Sequence, residues 1–300
     1  MIPIAFDPIY VLPLPERHRF PMEKYDLLPK QLIHEGTCDE TDFFSPSPAT
    51  DLVVKAIHEP EYVDRLKAMD LSASEIRKNG FPISNQLVDR EFIIAGGTIE
   101  GCLKAYDTGI AFNIAGGTHH AYRDHGEAFC LLNDQAIAAQ FLLDQKLANK
   151  ILIIDLDVHQ GNGTAKIFEV EDRVFTFSMH GEKNYPFKKE KSDLDIALED
   201  QTTDDTFLKI LEKTLPDLIL KTKPDFIFYL SGVDVLATDR LGRLGMTLEG
   251  CKIRDQIVLT LCEENKIPVQ CSMGGGYSKE IKLIIEAHAN TYRVAQNVFG

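Results

Sequence analysis

The sequence predicts one α/β domain with a central, mostly parallel sheet flanked by helices, and three observations lead there. Aliphatic, strand-like runs alternate with stretches of helical periodicity along most of the chain. The runs GIAFNIAGG (109–117), ILIID (151–155) and FIFYLSG (226–232) are apolar nearly throughout, as strands covered by helices on both faces are. Each is followed at once by polar or ionisable residues, where open α/β sheets carry their sites.

In chain order, a short strand is expected around Ile4–Phe6, then helical spacing over Asp51–Met69 and Arg90–Tyr106. After the strand at 109–117, Asn133–Ala148 reads as a helix with Asn133 or Asp134 available as its N-cap. Strands follow at 151–155 and 174–179. Thr203–Thr222 is helical, although Pro216 should break or kink it. The remaining elements are a strand at 226–232, a helix over Thr247–Asn265, a strand at 268–273 and a helix over Ser278–Val298. No repeat or linker divides the chain, so residues 1–300 are expected to form a single domain.

Composition narrows the function classes. Contents of 44% hydrophobic and 26% charged residues fit a soluble globular protein with a large core. No apolar run reaches the roughly 20 residues of a membrane helix, and no basic-then-apolar leader opens the sequence; a cytoplasmic location is the expectation. The six cysteines (Cys38, Cys102, Cys130, Cys251, Cys262 and Cys271) form no C-x-x-C pair, so reduced thiols are expected rather than a cysteine metal site. A net charge of −14 argues against nonspecific nucleic-acid binding and favours a cationic substrate. The sequence leaves the oligomeric state open, with a monomer as the default.

The chemistry concentrates in ILIIDLDVHQGNGTAKIF, residues 151–168. After four aliphatic residues come Asp155, Asp157 and His159 at alternate positions, which in an extended chain project from one face. Buried carboxylates need compensation, and a cation is the simplest. Asp157, His159 and Asp234, which follows the strand at 226–232, make a mixed oxygen and nitrogen set of three. Three protein ligands leave a position open for water, as a catalytic zinc site requires. His119 and His120 follow the strand at 109–117 and suit proton transfer beside such a centre, with Asp155 or Asn162 orienting the rings. Tyr277 follows the strand at 268–273 and suits an oxyanion donor, while Gly274, Gly275 and Gly276 let that loop approach a ligand. His18, His34, His58 and His288 read as structural; His125 and His180 are placed in loops at the rim. There is neither a G-x-S-x-G elbow nor a G-K-S/T phosphate loop.

With these residues assembled, the chain resembles the histone deacetylase family, and within it the class IV branch. The motifs that carry the resemblance are HRFPMEKY, HEPEYVDRL, GGTHHAYRDHGEAFCLLND, IDLDVHQGNGTAKIF, SGVDVLATDRLGRLGMTLEG and GGGY, spread over nearly all of the chain. The resemblance implies an arginase/deacetylase-like fold and metal-dependent hydrolysis of acylated amines: acyl-lysine in a peptide or protein, or an acylated polyamine. It implies zinc, in a site that iron(II) can also occupy. By position, Asp157, His159 and Asp234 match the metal ligands, His119 and His120 the acid–base pair, Tyr277 the carbonyl-polarising tyrosine and Asp155 the partner of the first histidine. Phe129 and Tyr185 match the walls of the acyl-lysine channel, which Gly275 and Gly276 border. Asp155, Asp157, His159, Ser178 and Met179 match a structural potassium site. The sequence departs from class I members at Asn162, which replaces a second aspartate and should hold His120 less firmly in its protonated form. The aspartate that grips substrate backbone at the class I rim has no evident counterpart.

Two other readings compete. A ureohydrolase on the same fold needs two metals, but Gly161 stands where the second carboxylate of a D-x-H-x-D pattern belongs. A catalytically weak acyl-binding scaffold would keep the pocket without turnover.

Overall fold

The computed structural model describes residues 1–300. The chain opens with strand β1 (Ile4–Ala5), helix α1 (Lys24–Glu35) and strand β2 (Phe43–Phe44), followed by four helices, α2 (Asp51–Val54), α3 (Pro60–Lys67), α4 (Ala73–Asn79) and α5 (Asn85–Thr108). Then come β3 (Ile110–Asn113), α6 (Asp134–Asp144), β4 (Ile151–Asp155), α7 (Asn162–Ile167), β5 (Val174–Gly181) and β6 (Leu194–Leu198). The last part is α8 (Asp204–Thr222), β7 (Phe226–Leu230), α9 (Leu248–Glu264), β8 (Val269–Ser272) and α10 (Ile281–Phe299).

All eight strands join one sheet in the order β2-β1-β3-β8-β7-β4-β5-β6, and every neighbouring pair is parallel. Strands β3, β4, β7 and β8 are buried along their whole length, which explains their unbroken apolar character. One core of 81 buried residues runs through the molecule. The predicted parallel α/β architecture is therefore the observed one.

Departures from the predicted elements have local causes. The helix expected over 51–69 is two helices, because Glu59 precedes Pro60 and takes an extended conformation, and Pro60 then starts α3. Pro216 does not break α8; it lies on the exposed side, where water can satisfy the carbonyl one turn back. The strand expected at 109–117 ends at Asn113, since Gly116 and Gly117 take left-handed backbone angles. Asn133 is the N-cap of α6, accepting from the Ala136 amide at 3.0 Å, so Asp134 is free for other work. Helices α1, α4 and α7 and strands β2 and β6 escaped the sequence reading. Strand β6 is a partly exposed edge strand, and α7 spans only six residues.

Strands β3, β8, β7 and β4 lie side by side at the centre of the sheet. The four segments expected to deliver functional groups are thus neighbours at one edge.

Candidate active site

Beyond β4 the chain bends instead of staying extended, and this divides the D-x-D-x-H segment. Asp155 turns to His119, with Oδ2 2.7 Å from Nδ1. Asp157 and His159 turn to Asp234, delivered by β7. The expected convergence of Asp155 with the other two is corrected in that respect.

His159 Nδ1 lies 3.0 Å from Asp157 Oδ1 and 3.1 Å from Asp234 Oδ2. One ring nitrogen carries at most one hydrogen, so it cannot serve both carboxylates fully. A donor atom from each residue lies within 4.8 Å of the others, and all three residues are buried. Burial opposes charge on each group. Hydrogen bonding from His159 nevertheless holds the Asp157 carboxyl well below the usual range, whereas burial and the Asp157 charge push Asp234 up to about 7. The two carboxylates outweigh burial at His159 and raise its imidazole to about 10. The cluster is short of positive charge, and a divalent cation fits its donor set. Gly275 is required beside it: its N–H donates to Asp157 Oδ2 at 2.8 Å, and a Cβ there would sit 2.0 Å from Asp234 Oδ2.

His119 and His120 follow β3, with ring centres 4.1 Å apart. Asp134 anchors the loop, accepting from the Thr118 amide at 2.9 Å and hydroxyl at 2.7 Å. Asn162 Oδ1 lies 2.6 Å from His120 Nδ1. The other end of that amide faces Tyr122 Oη at 2.9 Å and Glu127 Oε2 at 3.5 Å; a carboxylate only accepts, so the nitrogen is there and the oxygen faces His120. The Nδ1 of His120 therefore carries the hydrogen, leaving Nε2 as an acceptor. Burial disfavours charge on both rings. The Asp155 carboxylate reverses this for His119, whereas His120 stays well below the usual histidine range, with His119 and His159 pushing the same way.

Tyr277 is buried, and its hydroxyl has no protein partner. Its amide donates to Asp239 Oδ2 at 2.6 Å, and its carbonyl accepts from Arg240 Nε at 3.0 Å. Burial, then the charges on Asp234 and Asp157, raise its phenol, so it keeps its proton. Phe129 and Tyr185 line a cleft of about 560 Å³ that leads to His120, His159 and Tyr277. Phe129 has a left-handed backbone (φ +68°), held by its amide's 2.6 Å bond to the Asn79 carbonyl, and Tyr185 sits edge-on to His120 at 5.1 Å. Deeper in, a cavity of about 40 Å³ is lined by Phe20, Tyr25, Arg90, Gly117 and the two histidines, among others.

Of the residues matched to potassium, Asp155 and Ser178 pair in register across β4 and β5, and Met179 is next along β5, fully buried. His180 lies on β5 and is buried, not in a rim loop as expected. His58 is structural as expected: Nδ1 lies 2.8 Å from the Tyr122 carbonyl, and Nε2 accepts from the Asn133 amide at 3.0 Å. All six cysteines are buried and unpaired. No helix is long and apolar enough to cross a membrane.

Several supporting residues escaped the sequence reading. Arg254, on α9, is fully buried and donates to the carbonyls of Leu156 (3.3 Å), Ser231 (3.3 Å) and Gly232 (2.6 Å), tying together the segments that carry Asp157 and Asp234. Lys24, also fully buried, donates to the Gly274 carbonyl at 2.9 Å; burial lowers it to about 8 against the pull of Asp234 and Asp157. Glu127 accepts from Tyr185 and pairs with Lys78. Asp239, inside VDVLATD, was visible as a carboxylate near a ligand motif; Arg254 had no such signal.

Residues 18–292 match the histone deacetylase domain. An uncharacterized protein of Picosynechococcus is 43% identical over 297 residues, 99% of each chain. Histone deacetylase 2 of Arabidopsis thaliana is 29% identical over 278 residues, 89% of this chain and 72% of that protein. The acetoin utilization protein AcuC of Staphylococcus aureus is 27% identical over 265 residues, 78% and 65% of the two chains. Among solved structures, the HDA15 HD domain superposes with a TM-score of 0.83 at 20% identity, covering 99% of this chain and 88% of that one. An HDAC homolog from Aquifex aeolicus gives 0.82 at 22% identity, covering 98% and 84%. With a matching domain over most of its length and a sheet that superposes on these structures, this chain belongs to the histone deacetylase family.

Proposed function

We propose that residues 1–300 act as one catalytic domain, a metal-dependent amidohydrolase of class IV type that removes short acyl groups from lysine side chains. The observation that carries this reading is the meeting, at one sheet edge, of a buried Asp157–His159–Asp234 cluster, two histidines with different partners and an unpartnered tyrosine hydroxyl.

When bound by Asp157, His159 and Asp234, zinc or iron(II) supplies Lewis-acid polarisation of the acyl carbonyl and acidifies a water molecule. Phe129 and Tyr185 flank the lysine chain and exclude solvent. His120, whose Nδ1–H is held by Asn162, offers Nε2 as the proton acceptor for the attacking water. His119, held by Asp155, favours the protonated form and delivers a proton to the departing amine. Tyr277 donates a hydrogen bond to the carbonyl oxygen as it gains negative charge. A structural potassium held by Asp155, Asp157, His159, Ser178 and Met179 belongs to the same reading, and would brace the strand end from behind.

The inner cavity of about 40 Å³ has room for only a few water-sized groups, which favours acetyl over octanoyl or myristoyl chains. Single-turnover hydrolysis of matched acetyl-, octanoyl- and myristoyl-lysine peptides by zinc-reconstituted protein tests the proposal, with Asp157→Ala as the blank. Metal-dependent turnover fastest for acetyl is expected. Turnover that rises with chain length would replace the short-acyl assignment with a fatty-acyl one. No turnover above the blank with zinc or iron(II) would leave an acyl-binding scaffold.

A further inference from the structure

The chain carries a net charge of −14, which favours cationic ligands, yet the entrance to its site has the opposite character. Fifteen residues line the cleft; Arg19, Lys78, Lys183, Arg240 and Arg243 are among them, and none is Asp or Glu. Two nearby carboxylates neutralise part of this set: Glu127 pairs with Lys78, and Asp200 lies 2.7 Å from Arg243 and 3.9 Å from Lys183. Arg19 and Arg240 have no carboxylate partner. Both are exposed, and both are mounted on the channel frame. The Arg19 guanidinium lies 4.9 Å from the Phe129 ring centre, and Arg240 donates to the Tyr277 carbonyl at 3.0 Å and the Arg19 carbonyl at 3.4 Å.

We propose that this mouth selects acyl-lysine carried in acidic stretches of polypeptide, whose flanking carboxylates meet Arg19, Arg240 and Lys183. The inference rests on the acyl-lysine reading and narrows it. A polyamine would bring its free ammonium groups to a mouth whose lining holds no carboxylate and whose Arg19 and Arg240 are unpaired, so the same geometry disfavours acetylpolyamines. It also accounts for the missing rim aspartate, since no carboxylate lines the mouth. Exposed charges interact weakly and are screened by salt, so the effect should be modest and sensitive to ionic strength.

Fluorescence anisotropy on the metal-reconstituted full chain tests this with acetyl-lysine peptides of one length flanked by Asp, Gln or Lys, and with acetylspermidine as competitor. At low salt the Asp-flanked peptide should bind on the order of tenfold tighter than the Gln-flanked one, with Lys-flanked peptide and acetylspermidine weaker still. The ratio should shrink as salt is added. In the double variant Arg19→Glu, Lys183→Glu, checked for an unchanged melting temperature, the Asp-over-Lys ratio should fall to unity or invert. Equal affinities, tighter binding of Lys-flanked peptide or acetylspermidine, an unmoved ratio in the variant, or no binding of any peptide would each overturn the proposal. Hydrolysis of the same peptides separates the two readings. A binding preference without turnover sinks the deacetylase reading alone, whereas turnover without preference sinks only this one.

Discussion

The floor and the mouth of the site are built on opposite principles. The floor is buried and dominated by carboxylates. Its groups come from the ends of four adjacent strands, and nearly every polar atom in it has a named partner. The mouth is exposed and dominated by cations, and its groups come from segments scattered between residues 19 and 243. Charges on the floor act in a low dielectric and are costly to leave unpaired; charges at the mouth act through water. Single substitutions on the floor should therefore have large effects that salt does not change, and those at the mouth small effects that it does.

The largest effect should come from Arg254. Its removal takes the guanidinium from three backbone carbonyls and from the Asp255 carboxylate, 2.7 Å from it, whose remaining donors are Tyr229 and Thr291. Arg254→Ala should lower unfolding free energy by about 3–5 kcal/mol, read by chemical denaturation. A loss below about 1 kcal/mol would mean that the clamp is not what holds the segments carrying Asp157 and Asp234 together. Next comes Tyr277→Phe, which deletes only the unpartnered hydroxyl. It should cut turnover about 10²–10³-fold with little change in stability or metal content. Near wild-type turnover would remove Tyr277 from the chemistry.

The same contrast explains what could be read from the sequence. Asp157, His159, Asp234, the histidine pair and Tyr277 were legible because each lies within a few residues of the end of an apolar strand, and parallel sheets align such ends. Asn162 and Asp155 were legible as partners of the two histidines for the same reason. Arg254 was not, since a buried arginine on one face of a helix looks like any polar helical residue until its neighbours are known. The mouth was not legible: net charge describes the whole surface, whereas five cations gathered at one opening depend on loop geometry. Within the fold, the central strands were plain from their composition, while β6 and α7 carried too few periodic residues to register.

Glu127 joins the two regions, and its substitution should give the smallest of these effects. Its carboxylate reaches outward to Lys78 and inward to Tyr185, and lies 3.5 Å from the Asn162 amide that holds His120. Burial alone would raise this carboxyl, but hydrogen bonds from His125, Lys78 and Tyr185 outweigh it and lower it from 4.5 to about 2. A carboxyl depressed in the folded state adds stability that is fully present above its unfolded value and is lost as pH falls through its folded one. Wild-type stability should therefore contain a component that disappears between about pH 4.5 and 2, and Glu127→Gln should lack it. At pH 7 the variant should be less stable by about 1–3 kcal/mol, the usual cost of losing hydrogen bonds to a charged group, and the two proteins should converge toward pH 2. Denaturation midpoints at stepped pH would read both limbs. If the gap between wild type and variant stays constant across that window, Glu127 is not held in the charged state by its neighbours, and the floor and mouth are not electrostatically linked through it.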